Sequence, residues 1–481
     1  MNMNITGEIS RLIDNKSNLY KQLSDQVWEY AETRFEEFQS AELLCDSLEQ
    51  EGFSVERGVV GLETGFIGSY GSGGPVVAVL GEFDALAGLS QKAGFKEYSP
   101  VDVNGNGHGC GHNLLGVGAL AAAIAIKEYL QAHKLQGTVK YFGCPAEESG
   151  YGKSFMARDG LFKDIDFALS WHPSTANAVM NAYSNAVIHA TFQFKGRSAH
   201  AAASPHLGRS ALDSVELMNV GVNYMREHME DEARIHYAVT NSGGLAPNVV
   251  QAEAEVTYLI RAPKPHQVKN LYERVVDCAK GAALMSQTSM EVQIEGSCHN
   301  LISNSTLEKI MHQHLDDLGF PEVTIEEVEF AKEIYSSLTD LEKKSAESSV
   351  GKELGQRLKE KPIVDFILPY SENPAFMGGS TDVADVSWNV PTAQCTTATW
   401  AFGTPFHTWQ VVSQGKESYA HKAMLLAGKA LASTAITAIE NPFIIEKAKA
   451  ELQERLDGET YEALIPKELQ PPKNKRQEAV Y

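Results

Sequence analysis

The chain has 481 residues, 43% hydrophobic and 21% charged, which is enough apolar material for more than one buried core and excludes a disordered chain. A formal net charge of -21 argues against nucleic acid or an anionic membrane surface as a partner, and leaves a small-molecule substrate open. The polar start MNMNITGEISRLIDNKSN lacks the apolar segment of a secretion signal, and no apolar run reaches the length of a membrane span, so a cytoplasmic protein is expected.

Residues 6–50 carry helical periodicity with many charges. The runs TGFIGSY and PVVAVLGEF then read as short strands. LLGVGALAAAIAI, after His112, reads as a buried helix over about 114–132, followed by strands at 138–144 and 166–171. Strands alternating with helices at this spacing predict an α/β domain with a mixed, mainly parallel sheet. After residue 184 the pattern changes. AVIHATFQFKG alternates like a half-exposed strand, 209–229 is helical, IHYAVTNSGG and NVVQAEAEVTYLIRA are strand-like, a second helix covers KPHQVKNLYERVVDCAKGAALMS, and MEVQIEG closes the series. This β-α-β-β-α-β order predicts an inserted ferredoxin-like α+β domain. The expected division is 1–184 and 298–440 for the catalytic domain, 185–297 for the insertion, and 441–481 for a C-terminal helix and tail. Within the second catalytic part, a charged helical segment lies near 325–365, with EKKSAESSVGKELGQRLKEKP as its expected mobile stretch. A strand TAQCTTATWAFG and a helix at about 415–438 follow, and the Pro- and Lys-rich tail from 466 is expected to be poorly ordered.

The six cysteines, Cys45, Cys110, Cys144, Cys278, Cys298 and Cys395, are scattered with no CxxC pair, which fits a reducing compartment. Cys110 stands apart because it lies in HGCGHN, residues 108–113. On an extended segment Cys110 and His112 share a face and can grip one metal region. PAEES, residues 145–149, puts two carboxylates just after an apolar strand, where α/β folds place their chemistry. Trp171-His172-Pro173 closes another strand, and His407 follows a third in AFGTPFHTW. Each histidine alone is more often structural. Together, strand-end loops delivering a cysteine, histidines and a glutamate pair suit zinc, manganese or a similar divalent ion. There is no G-x-S-x-G elbow and no Walker A sequence, and GSGG at 71–74 is too isolated to mean a phosphate site. A Cys110 nucleophile paired with His112 is the alternative chemistry.

These residues resemble the metallo-aminohydrolases that include aminoacylase, carboxypeptidase G, succinyl-diaminopimelate desuccinylase and the auxin-conjugate amidohydrolases. The signature Cys-Gly-His-Asp of the amidohydrolase branch appears here as Cys110-Gly-His112-Asn113, and the resemblance runs from about residue 25 to 440. It implies two divalent ions, Mn2+ or Zn2+, held by Cys110, His112, Glu148, His172 and His407, with His112 or a nearby group reaching both. It further implies Glu147 as general base, Asp84 as the carboxylate orienting a ligand, and His200 as an inserted-domain histidine that reaches the substrate, across a dimer in some members. Asn248, Arg261 and Arg209 are the implied substrate-carboxylate residues, Asn248 foremost.

The implied reaction is hydrolysis of the amide bond of an N-acyl or N-aroyl amino acid such as p-aminobenzoyl-glutamate, with a dipeptidase or auxin-conjugate hydrolase as the related alternative. The implied assembly is a homodimer or a hetero-oligomer with a related subunit, in which a non-catalytic role is the alternative of a different class. Three departures stand out: Asn113 for the branch's Asp, Ala87 for a proline after Asp-Ala-Leu, and the charged segment around 330–362.

Overall fold

The computed structural model describes residues 5–350 and 352–472. Its strands are β1 (Ser54–Arg57), β2 (Phe66–Ser72), β3 (Val76–Glu82), β4 (Gly137–Cys144), β5 (Phe167–Ser174), β6 (Ala178–Val179), β7 (Ala182–Ser184), β8 (Ala186–Lys195), β9 (Arg234–Asn241), β10 (Glu253–Ala262), β11 (Ser289–Cys298), β12 (Ala375–Met377) and β13 (Thr392–Ala398).

β3 is apolar on both sides. Val77 and Val79 point into one core and Ala78 and Leu80 into another, as the period of two along a strand requires. It therefore sits inside a sheet covered on both faces. That sheet has the order β1-β2-β4-β3-β5-β13-β6. The four adjacent strands β4, β3, β5 and β13 run parallel, and the outer pairings are antiparallel. One face packs the helices Ile5–Asn15, His112–His133, Ser305–Leu318 and Ser418–Glu440; the other packs the short helices Gly152–Arg158 and Val383–Ser387. The sequence expectation of a mixed, mainly parallel sheet holds.

The helices His112–His133 and Ser418–Glu440 are each long and apolar enough to cross a membrane by composition, a length that LLGVGALAAAIAI by itself understates. Within the protein, 94% and 83% of their apolar windows are buried, so they form the core layer instead. His112–His133 approaches the sheet closely: a Cβ on Gly116 would lie 2.7 Å from the carbonyl oxygen of Glu82. Its small residues let the helix begin against the end of β3 and so carry His112 to the strand end.

β8, β10, β9 and β11 form a separate antiparallel sheet in the order β11-β8-β10-β9. The helices Ala211–Met225 and Pro265–Ser286 pack together on one face of it, around Phe192, Val215, Val256, Tyr258 and Leu271. Element order and strand order are those of the β-α-β-β-α-β unit. β10 begins at Glu253, later than the run NVVQAEAEVTYLIRA suggests, because residues 248–252 serve a loop instead.

The charged segment is helical, as expected, and both it and residues 466–472 are packed against the rest of the protein. The charged segment forms the helices Ile325–Ser337, Asp340–Val350 and Lys352–Glu360, residue 351 lying outside the described residues. Leu338 and Leu358 bury themselves with Tyr335 and Phe402, so the segment packs onto the turn that precedes His407. Residues 466–472 are also anchored: Arg158 Nη1 donates to the carbonyls of Pro466 and Leu469 at 3.1 and 2.6 Å. The remainder of the tail, 473–481, lies outside the described residues.

Replacing glycine with alanine inside a helix ordinarily favours folding by about 1 kcal/mol. At Gly116 the helix–strand contact reverses that sign: Gly116→Ala is expected to destabilise the protein by about 1–3 kcal/mol, read from urea unfolding. An unchanged or raised midpoint would show that the approach to Glu82 is not tight.

Candidate metal centre

Because β4, β3, β5 and β13 are parallel neighbours, their C-terminal ends lie along one edge of the sheet, the place where open α/β folds build their sites. β3 delivers Glu82 and Asp84, β4 delivers Glu147 and Glu148, β5 delivers His172, and the loop after β13 delivers His407. The turn holding Cys110 and the helix beginning at His112 come between β3 and β4.

Cys110 and His112 are not on an extended segment. Gly111 has φ 75 and His112 is the first residue of its helix, so a left-handed turn brings the two side chains together in place of a shared strand face. The glutamate pair is also set by a turn. Ala146, the residue before it, has φ 58 and donates its N–H to Glu37 Oε1 at 2.9 Å. Glu37 is fully buried and also accepts from Phe35 N–H and the Thr64 hydroxyl.

The donors gather in two groups that share a residue. Cys110, His112 and His172 offer atoms that all lie within 4.8 Å of one another, as do Cys110, Glu148 and His407. The shared residue is Cys110. Glu147 points elsewhere, into a third group with Glu82 and His112 at the same limit. Asp84 organises two of these residues. One oxygen accepts from His112 Nδ1 at 2.8 Å, the other from the Glu148 backbone N–H at 3.0 Å. His172 donates from Nδ1 to the carbonyl of Pro173 at 2.7 Å. With Nδ1 engaged in both histidines, Nε2 is the nitrogen turned toward the other donors, that of His172 standing 3.5 Å from Cys110 Sγ. Glu148 meets His407 Nε2 at 3.2 Å, and the His407 N–H donates to Gly109 O at 2.9 Å, which ties the last loop to the Cys110 turn.

Burial together with the charges of Glu82 and Glu148 pushes the Glu147 carboxyl well above its usual range. Burial also raises Glu148, but His407 and His112 more than offset it and hold that carboxyl low. Two adjacent carboxyls are thus driven apart, the pattern expected of an acid–base group beside an ionised ligand. Burial, followed by the charge of Glu148, raises the Cys110 thiol well above its ordinary value, the opposite of what a free nucleophilic cysteine requires.

The residues fit a divalent cation. Glu82 Oε2, His112 Nε2 and Glu148 Oε1 are buried with no hydrogen-bond partner. Two are carboxylate oxygens and one is an imidazole nitrogen, and leaving such atoms desolvated and unpaired is costly. The soft sulfur, the imidazoles and the carboxylate form a donor set suited to zinc or manganese.

The remaining predicted residues lie outside this cluster. His200 is exposed in a loop of the antiparallel unit, beside Asn248: His200 bridges Val249, and Ala201 N–H donates to Asn248 O at 3.0 Å. His200 Nδ1 accepts from the N–H groups of Ala202 and Ala203, which leaves Nε2 to carry the proton and face outward. Arg209 bonds Gln287, His206 and Gly208 within its own unit. Arg261 donates to Ser380 Oγ at 2.6 Å, and that hydroxyl donates to Asn185 O, so Arg261 sits at the junction of the two units. Asn113 supports the start of its helix by donating to Ser24 Oγ and Gly415 O, both at 3.1 Å; the His112 ring is held by Asp84.

Sequence reading missed Glu82, Lys153, Asp382 and Glu37. Lys153 is fully buried, with Nζ 2.7 Å from Glu82 and 2.5 Å from Asp382. Burial pushes Asp382 up to about 7 against the opposing pull of Lys153. A signal existed for Glu82: it precedes Asp84 by two residues on a strand end and shares its face. Nothing local marks Lys153 in GYGKSF.

Residues 78–335 match peptidase family M20/M25/M40. The chain is 47% identical to one of the subunits of the p-aminobenzoyl-glutamate hydrolase of Escherichia coli, with 96% of this chain and 99% of that protein covered. Among solved structures, its fold resembles an aminobenzoyl-glutamate utilization protein from Klebsiella pneumoniae, with a TM-score of 0.56 at 17% identity over 86% of this chain and 98% of that one. It also resembles the YXEP protein of Bacillus subtilis, described as a dinuclear metal binding peptidase, with a TM-score of 0.53 at 16% identity over 89% and 99% of the two chains. The chain belongs to peptidase family M20/M25/M40.

Proposed function

We propose that the protein is a two-metal amidohydrolase that cleaves p-aminobenzoyl-glutamate or a close N-acyl or N-aroyl amino acid, releasing glutamate or another amino acid. The observation that carries this reading is the pair of three-residue donor groups sharing Cys110, with Glu147 directed beside them. The substrate class rests on the 47% identity to the Escherichia coli hydrolase subunit over nearly the whole of both chains.

Cys110, His112 and His172 would hold one ion, and Cys110, Glu148 and His407 the other. Bound there, two divalent ions supply Lewis-acid polarisation of the amide carbonyl and a water of lowered pKa. The chain's own residues do the rest. Glu147 takes a proton from the attacking water and delivers it to the amide nitrogen, which leaves poorly as an anion. Its raised proton affinity suits both transfers. Asp84 holds the His112 ring and the Glu148 backbone in register for the two ions. His200 Nε2 is the donor assigned to the oxyanion. Because His200 is exposed in the antiparallel unit, this role requires that unit to close as a lid or a second subunit to present it. Residues 185–297 are accordingly read as the lid and dimerisation domain. Asn248, beside His200, is assigned to a substrate carboxylate ahead of Arg261 and Arg209, whose guanidinium groups are engaged.

The Escherichia coli relative is named as a subunit, which supports assembly with a related chain or with a second copy. A purely non-catalytic partner has no need of Glu147, and its presence beside the complete donor set supports an active chain. Manganese and zinc both suit the donors. The cysteines described are all unpaired thiols, which supports the cytoplasm as the compartment.

Incubating the purified protein with manganese or zinc and a panel of p-aminobenzoyl-glutamate, indoleacetyl amino acids and dipeptides tests the reading; metal-dependent release of glutamate, fastest from the first, is expected. No metal-dependent cleavage of any member would refute it. Glu147→Ala is expected to retain bound metal by elemental analysis while kcat falls by about 10²–10⁴-fold. Loss of the metal instead would mean that the roles of Glu147 and Glu148 are reversed. Asp84→Asn is expected to weaken metal binding by about 10–100-fold in a chelator-competition titration, and unchanged binding would remove Asp84 from its orienting role.

A further inference from the structure

We infer that Glu82 is an additional oxygen donor to the metal centre, held for that role by a buried lysine, Lys153, and through it by Asp382. The inference rests on the metal-centre reading above and extends it by one residue.

Glu82 ends β3 and is 2% exposed. Its Oε1 receives Lys153 Nζ at 2.7 Å, while Oε2 has no hydrogen-bond partner and lies 3.4 Å from His112 Nε2. That nitrogen has no partner either, and the other ring nitrogen donates to Asp84. Two buried polar atoms therefore face each other without a hydrogen bond between them, each lacking any other partner. In tetrahedral coordination with bonds of about 2.1 Å, two ligand atoms on one ion stand about 3.4 Å apart. The separation is that of two ligands on one cation. Glu82, His112 and Glu147 offer atoms mutually within 4.8 Å, so Glu82 adjoins the centre through their shared residue, His112.

Charge gives the same answer. Lys153 lies between two carboxylates, Glu82 and Asp382, and the Lys153 backbone N–H also donates to Asp382 at 2.8 Å. One buried lysine is thus shared by two buried carboxyls, with the His112 ring the other basic group beside Glu82, and a metal cation at Oε2 would add to that compensation. Lys153 also fixes which oxygen is free: with Oε1 taken, Glu82 presents Oε2 alone, as a monodentate ligand. An added carboxylate oxygen shifts a sulfur-and-imidazole site toward the harder ion, so Glu82 favours manganese relative to zinc.

Manganese and zinc affinities of the full chain, wild type and Glu82→Gln, test this by chelator competition and by the electron paramagnetic resonance of bound Mn2+. The variant is expected to lose manganese affinity by about tenfold or more, with a smaller loss for zinc. The thermal midpoint of the metal-free protein serves as the folding control. Unchanged manganese affinity in the variant overturns the inference, and equal losses for both ions overturn its selectivity. If Glu82→Gln does not fold, anomalous scattering from a manganese-loaded wild-type crystal decides: an ion bonded to Glu82 Oε2 supports the assignment, and an ion out of bonding reach of it overturns it. Wild-type protein that binds no manganese or zinc refutes the metal-centre reading itself, a different outcome from any of these.

Discussion

The Asp84 carboxylate is the contact on which the site depends. It accepts from the His112 ring with one oxygen and from the Glu148 backbone with the other, so a single buried side chain aligns the start of a core helix with the loop after β4. Neither partner is free to move without breaking a charge-assisted bond in a region closed to water, where such bonds are at their strongest. The backbone around Asp84 is itself clamped. Ala85 N–H donates to Glu32 O, Leu86 exchanges hydrogen bonds with Gly107, and the same N-terminal turn that contacts Ala85 holds Ala146 through Glu37. Segments far apart in sequence thus converge on one side chain before any ligand enters.

Around that anchor the protein concentrates negative charge. Glu82, Asp84, Glu147, Glu148 and Asp382 crowd together with Lys153 as their buried cationic partner. Such a cluster opposes folding unless cations share it, which links the stability of this region to metal occupancy. The arrangement also separates two neighbouring glutamates electrostatically. Burial and the neighbouring carboxylates hold the Glu147 carboxyl above its usual range, while His407 and His112 hold that of Glu148 low. A difference of one residue in the chain becomes a difference in proton affinity.

Two further parts of the chain support the site from outside. The helices from Ile325 to Glu360 bury Tyr335, Leu338 and Leu358 against Phe402, so the charged segment acts as a brace for the loop that carries His407. The antiparallel unit is joined through Ser380, which links Arg261 to Asn185 near the point where the chain enters β8. His200 and Asn248 stand in an exposed loop of that unit, outside the donor cluster.

The sequence by itself determined the layered α/β architecture and the order of the inserted unit, because burial on one face or two writes a period into the chain that can be read locally. Local pattern singled out Cys110 and His112 in HGCGHN, the glutamate pair after β4, and His172 and His407 after strands, the resemblance chose Glu148 from the pair, and the structure brings these residues to one sheet edge. Tertiary structure alone decided how they meet. Cys110 and His112 converge through the left-handed turn at Gly111, where an extended strand would have served equally well from the sequence. Lys153 and Asp382 pair across more than two hundred residues, and a lysine in a glycine-rich loop looks solvated until the fold buries it. The same holds for Arg261, whose partner is a serine from a distant loop. Local pattern records which face of an element is buried; it does not record which distant side chain waits there, and in a site made of buried charges that pairing decides which oxygen or nitrogen remains free.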